Sequence, residues 1–195
     1  MIPSYNGMRA EKQTTSMALP AGGYIAQIFN AKVEEYQWGS VLVVAFDITE
    51  GEYKGFFKKQ YDSNTAEDKK WKGSYRLTIP VEDSQYFEGN KRSFNNFIYA
   101  LEDSNSGYHY DCDEKKLKGK KIGVLFRNKE WEMNGKTGWT TECGACTCVQ
   151  DIREGNFKPL KDKPLKASNS TTQSTGASVN AIVDAPADSG DDLPF

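Results

Sequence analysis

The sequence has almost no net charge and only one histidine. Its 195 residues hold 25 bases and 27 acids, a formal charge of −2, so no strongly basic character announces a polyanionic ligand. Any nucleic-acid reading must therefore rest on local groups of cations and aromatic rings. The lone His109 excludes His-based metal clusters and paired-histidine catalysis, and no Ser-His or Cys-His dyad or phosphate-cradling glycine motif stands out. No run of about 18 apolar residues occurs, and Met1-Ile2-Pro3-Ser4-Tyr5-Asn6-Gly7 lacks a basic segment leading into an apolar one. The expectation is a soluble, cytoplasmic protein with no membrane partner. Cysteine is scarce, and Cys143, Cys146 and Cys148 crowd into six residues with Cys112 apart, which suits reduced thiols better than a secreted disulfide framework.

The chain divides unevenly. Residues 164–195 contain one base, Lys166, and four acids, Asp184, Asp188, Asp191 and Asp192; taking these from the totals leaves 24 bases and 23 acids in residues 1–163. A hydrophobic content of 37% supports one sizeable core rather than two, so the predicted organisation is a single domain over 1–163. Residues 164–187, rich in Ser, Thr, Asn, Ala and Gly, read as a flexible linker with a reach of about 25–30 Å. Residues 188–195 form an acidic tip.

Within the body, Tyr24–Val33 alternates at period two, with Ile25, Phe29, Ala31 and Val33 on one face, and reads as a first strand. Trp38-Gly39-Ser40 turns the chain into Val41–Ile48, a second strand whose Leu42, Val44, Phe46 and Ile48 face the core. Tyr53–Tyr61 reads as a third strand, with Phe56 outward and Phe57 inward. A long excursion over 62–92 follows. Phe94, Phe97, Ile98 and Leu101 then fall at helical spacing, predicting a helix from an N-cap at Ser93 to about Asp103. A fourth strand over Ile122–Met133, the hairpin signal Asn134-Gly135 and a fifth strand from Trp139 to about Val149 complete the order β-β-β-α-β-β. The fold class is mainly β: an OB-fold-like five-stranded antiparallel barrel with one helix between strands 3 and 4. An SH3-like barrel or an open α+β sheet would give a similar strand count.

The tail ends in Asp191-Asp192-Leu193-Pro194-Phe195, an odd place for apolar residues unless they anchor something. Phe195 suits a shallow apolar pocket, the acids and terminal carboxylate a basic rim, and Pro194 stiffens the peptide. The bland alternative is a solubilising acidic tail. This ending resembles that of bacterial and phage single-stranded DNA-binding proteins, which close an Asp-rich tip in Pro-Phe beyond a linker and an OB-fold. The resemblance implies that Asp188, Asp191, Asp192, Leu193, Pro194 and Phe195 dock on replication, recombination or repair proteins. Residues 20–160, with Leu19-Pro20-Ala21-Gly22-Gly23-Tyr24 and Phe46-Asp47-Ile48-Thr49-Glu50-Gly51-Glu52-Tyr53, are more similar to phage-encoded proteins than to the usual bacterial member. The setting implied is the cytoplasm of an infected host. Oligomeric state does not carry over, and a homo-oligomer stays open.

Binding single strands without sequence preference needs flat rings for bases and cations for phosphates. The candidates are Tyr36 and Trp38 in the first turn; Lys54, Phe56 and Lys58 on strand 3; Trp71, Lys72, Tyr75 and Arg76 in the excursion; and Arg127, Lys129, Trp131 and Trp139 in the last hairpin. Trp38 and Trp71, lying among Gly, Gln and Lys, have the fewest apolar neighbours to bury them. The run Lys115-Lys116-Leu117-Lys118-Gly119-Lys120-Lys121 suits either phosphate tracking or a solvated loop.

Cys143, Cys146 and Cys148, with Cys112 as a fourth thiolate, are secondary candidates for a zinc site, although on a regular strand Cys143 points away from the other two unless the strand bulges. Buried small hydrophobes are the default, and no cofactor is expected. Asp47, Glu50 and Glu52 would suit a Mg²⁺-dependent nuclease, but they read as ordinary strand-end and turn chemistry. The expected function is non-enzymatic binding of single-stranded DNA with recruitment through the tip. An adaptor whose body binds protein is the alternative.

Overall fold

A computed structural model describes residues 18–165. The linker beyond 165 and the acidic tip lie outside them. Five strands alternate with three helices: β1 (Gly22–Tyr36), β2 (Gly39–Ile48), α1 (Phe56–Ser63), β3 (Ser74–Thr78), α2 (Phe87–Ser104), β4 (Lys121–Met133), β5 (Lys136–Thr147) and α3 (Val149–Glu154), with a 3-10 turn at Glu114–Leu117 before β4. The sheet order is β3-β2-β1-β4-β5, and every neighbouring pair is antiparallel. The fold is mainly β and OB-like, with the expected helix, α2, between β3 and β4. The barrel is not closed, because β3 and β5 remain the two ends of the sheet.

The long strand β1 serves two partners: Gly22–Gln27 pairs with β4 and Ala26–Tyr36 with β2. A bulge between Ile28 and Asn30 makes Phe29 the extra residue. Because side-chain direction alternates strictly along a strand, that one residue resets which face looks inward. Ala26 and Ile28 therefore enter the core, and Phe29 instead meets the Trp71 ring edge-on at 4.7 Å. The single face predicted for Ile25, Phe29, Ala31 and Val33 is thereby corrected. Along β2, Leu42, Val44, Phe46 and Ile48 fill the core as expected.

The predicted third strand is a helix. Gly55 adopts φ 70°, a left-handed conformation that favours glycine and starts α1. The orphan N–H groups of its first turn are met by Asp47 at the end of β2: Phe57 N donates to Oδ1 at 3.0 Å and Lys58 N to Oδ2 at 3.2 Å. A helix places Phe56 and Phe57 both in the core, which a strand cannot do with adjacent residues on one sheet. The actual β3 lies inside the predicted excursion.

α2 begins at Phe87, and Ser93 is inside it, its Oγ donating to Gly89 O at 3.1 Å. The helix bridges the open seam: Asn96 Nδ2 donates to Cys146 O on β5 at 2.9 Å, while Phe97 packs 6.4 Å from the Tyr75 ring on β3. Asn134-Gly135 makes the expected tight turn, both residues at positive φ and Met133 paired with Lys136. β5 ends at Thr147, and α3 replaces its predicted last residues.

Candidate nucleic-acid interface

β1, β2 and β3 carry a polar outer face. Register places Lys32 opposite Val43 and Arg76 on its other side, with Glu34 opposite Val41. Arg76 Nη2 reaches Glu34 Oε2 at 2.8 Å, an ion pair whose ends stand on β1 and β3 and which must cross β2. That crossing explains why Val41 and Val43, on the face away from the core, are only 4% and 2% exposed. Lys32 Nζ approaches Glu34 Oε1 at 2.9 Å, and Tyr36 Oη donates to Glu34 Oε2 at 2.6 Å while lying 2.6 Å from Arg76 Nη2. Burial pushes the Glu34 carboxyl up, but the hydrogen bonds from Tyr36 and Lys32 and the Arg76 charge outweigh it and hold it below the ordinary carboxylate value.

This network fixes Tyr36, and Tyr36 fixes Trp38. The two rings stack at 5.2 Å with planes 11° apart, and Trp38 stays 47% exposed at the β1–β2 turn. The pair presents a flat, oriented aromatic surface at the loop between strands 1 and 2.

A second group stands on the β4–β5 hairpin. Arg127, Lys129 and Trp131 project from the face of β4 opposite to core residues Val124 and Phe126, beside Glu142, Thr140 and Gly138 of β5. Glu142 gathers the cations: Arg127 Nη2 at 2.9 Å, Lys129 Nζ at 3.0 Å and Lys163 Nζ at 3.6 Å. Burial acts to raise its carboxyl, yet hydrogen bonds from Lys129 and Arg127 and the nearby charges bring it below the ordinary value. Lys163 is delivered by residues 162–165, which run along β4: Lys163 N donates to Asn128 O at 2.8 Å and Glu130 N to Lys163 O at 2.9 Å. That contact covers part of an otherwise unpaired strand edge. Trp139 pairs with Glu130 and therefore lies on the opposite face from Trp131, 55% exposed.

The remaining sequence candidates are placed elsewhere. Phe56 is 4% exposed within the core, so it offers no ring to a base. Trp71 is half-buried, its Nε1 donating to Phe46 O and Gly73 O at 3.1 Å and its ring among Phe29, Phe57 and Tyr61. Its loop-like sequence hid this packing because the partners come from β1 and α1. Tyr75 points inward against the core, and burial raises its hydroxyl pKa strongly. Lys58 pairs with Asp62 at 3.0 Å on α1, while Lys54 is exposed in a turn and Lys72 is exposed on the irregular segment before β3. Much of the lysine run has internal partners: Lys116 pairs with Asp111, Lys120 Nζ lies 4.1 Å from the Tyr108 ring centre, and Lys121 meets Glu50 at 3.0 Å. Sequence reading missed Lys32, Glu34, Glu142 and Lys163. The alternation Lys32-x-Glu34-x-Tyr36 was the available signal for the first two.

The β5 bulge that a shared thiol face requires is present. Leu125 pairs with Ala145 but Phe126 with Cys143, so Gly144 is the extra residue and Cys143 joins Cys146 on the core side. Even so, no three His, Cys, Asp or Glu side chains among the described residues are grouped to hold a metal, and Cys112 is exposed. Burial raises all three β5-side thiols, Cys146 and Cys148 to about 12. Asp47 is committed to the α1 cap, and Glu50 to Lys121 and Arg153 at 3.0 and 3.1 Å. No helix among the described residues is long and apolar enough to cross a membrane. No protein-family model matches the chain, and no curated protein matches it.

Proposed function

We propose that this protein binds single-stranded DNA, protecting it by stacking bases on exposed rings and contacting phosphates with the neighbouring cations. The observation that carries this reading is the stacked Tyr36–Trp38 pair, oriented by Arg76 and Glu34, on a sheet whose OB-like order elsewhere binds oligonucleotides through strands 2 and 3 and the loops at 1–2 and 4–5. Trp131 and Trp139 supply rings at the second of those loops. The acidic tip Asp188–Phe195, outside the described residues, is the proposed recruiting element for replication, recombination or repair proteins in a phage-infected cytoplasm.

Titration with oligo-dT tests the binding claim. Tryptophan emission should be quenched, and log K should fall against log salt with a slope of about −0.7 for each phosphate contacted. Absence of quenching at low salt would leave the body as a protein-binding adaptor. Deleting residues 188–195 should leave oligo-dT affinity intact or tighter while abolishing capture of the recruited enzyme.

A further inference from the structure

β5 is an end strand of the sheet, and near the hairpin its outer edge is open. Strand alternation fixes which backbone groups point there. Asn128 and Glu130 turn their backbone groups to Lys163, so Lys129 and Trp131 turn theirs to β5, and their partners Thr140 and Gly138 turn back to β4. Thr137, Trp139 and Thr141 are left with N–H and C=O groups directed outward, and no described residue pairs with those groups. Closer to the core the same edge is covered, since Asn96 of α2 donates to Cys146 O at 2.9 Å. Thr137-Gly138-Trp139-Thr140-Thr141 contains no charge, no proline and no bulge, the devices that keep an edge from pairing, and its Thr and Trp residues favour strands.

This edge is complementary to itself. Laid antiparallel about a two-fold axis at Trp139, two copies exchange about six main-chain hydrogen bonds: a pair between the two Trp139 residues, and a pair between each Thr137 and the Thr141 opposite. The same register sets Lys136 of each copy opposite Glu142 of the other, with no like charges face to face. Moving the axis to Thr137 or Thr141 loses that charge match and shortens the ladder.

We propose that the outer edge of β5 at Thr137–Thr141 is a docking surface for a second copy of this chain, which joins two sheets edge to edge with Trp139 on the axis. This goes beyond the single-strand-binding reading and does not depend on it. A two-fold axis normal to the sheet keeps each face on its own side, so Arg127, Lys129 and Trp131 of both copies stand on one face of the joined sheet. The contact is small, below about 1,200 Å², so the dimer is a weak one, forming at chain concentrations on the order of 10 µM.

The test is analytical sedimentation of the full chain, without DNA, over a concentration range spanning that value; the mass should rise from one chain to two. Trp139→Lys and Trp139→Glu each set like charges against each other across the axis, and each alone should weaken association about tenfold or more, whereas an equal mixture of the two sets opposite charges together and should recover it. Dimers that persist in both single variants put the interface elsewhere and overturn the proposal. A mixture that stays monomeric overturns the register centred on Trp139. An unaltered chain that stays monomeric throughout overturns self-pairing and leaves the edge to a strand of another protein. Hydrogen exchange on the unaltered chain decides the matter should the variants fail to fold: the Thr137, Trp139 and Thr141 amides should slow as concentration rises, while those of Gly138 and Thr140, directed at β4, should not change. Exchange at Trp139 that is independent of concentration overturns the proposal.

Discussion

The Trp131 indole lies across Gly138 on the neighbouring strand: a Cβ built on Gly138 would stand 2.7 Å from ring atom Cζ2 and 2.9 Å from Cε2. The ring occupies the space that any other residue's side chain would fill, so glycine here sets the angle at which Trp131 is presented. Gly138→Val should push the indole off the strand. Tryptophan emission should change, and oligo-dT affinity should fall by up to about 1–3 kcal/mol, the contribution of one stacked base. Unfolding stability should change little, because the site is near the hairpin tip. A G138V protein with unaltered affinity would remove Trp131 from the platform.

Asp47 offers a prediction about folding alone. Its two carboxylate oxygens accept from Phe57 N and Lys58 N, and Oδ1 also accepts from Ile48 N at 2.9 Å. Asp47→Ala should cost about 1–2 kcal/mol of stability in urea, the range for a lost helix cap, and Asp47→Asn less, because its amide oxygen still accepts. Oligo-dT affinity should be unchanged in both. A Mg²⁺-dependent role for Asp47 would instead appear as a divalent-ion effect that both variants abolish.

That cap also marks where the sequence stopped being legible. The β2 core positions, the Asn134-Gly135 turn and the existence of α2 follow from local pattern and turn chemistry, which depend on few residues. Phe56-Phe57 reads equally well as alternation on a strand. What decides for a helix is a hydrogen-bond acceptor on Asp47, supplied from nine residues upstream of Phe56 by the end of another strand. The Phe29 bulge and Trp71's half-burial share that cause, since each depends on a partner from a different element. In the candidate interface, rings and cations were visible as residue types. The carboxylates that orient them were not, because Glu142 reads as one acid among 27 until the register sets it opposite Arg127.

Trp38 and Trp71 provide a paired contrast, since both looked like loop tryptophans. Trp38→Ala should cost about 1–3 kcal/mol in oligo-dT binding and within about 0.5 kcal/mol in stability, because an exposed ring is removed. Trp71→Leu should do the opposite, losing about 2–3 kcal/mol of stability with its ring contacts and the Nε1 hydrogen bonds to Phe46 O and Gly73 O. Chemical denaturation and oligo-dT titration on the same two proteins read both quantities. Equal affinity losses would place Trp71 in the interface after all.

The thiols set an alkaline limit on the fold. Burial raises Cys146 and Cys148 from 9.0 to about 12 and also raises Cys143 well above 9.0, so each folded thiol keeps its proton where the unfolded thiol has lost it. Between about pH 9 and 12 the native state therefore binds more protons than the unfolded state, and stability must fall as pH rises through that window while being fully present below it. Tyr24 and Tyr110, raised by burial to about 12, add a loss of the same sign above pH 10. The urea midpoint should thus be flat near pH 8 and decline by pH 10.5, with a shallower decline in Cys146→Ala, which removes one of these groups. Alkylation supplies the independent check: at pH 8 exposed Cys112 should react first, and Cys146 and Cys148 only at the rate of unfolding. Rapid labelling of all four thiols in the native protein would contradict the burial from which the alkaline decline follows.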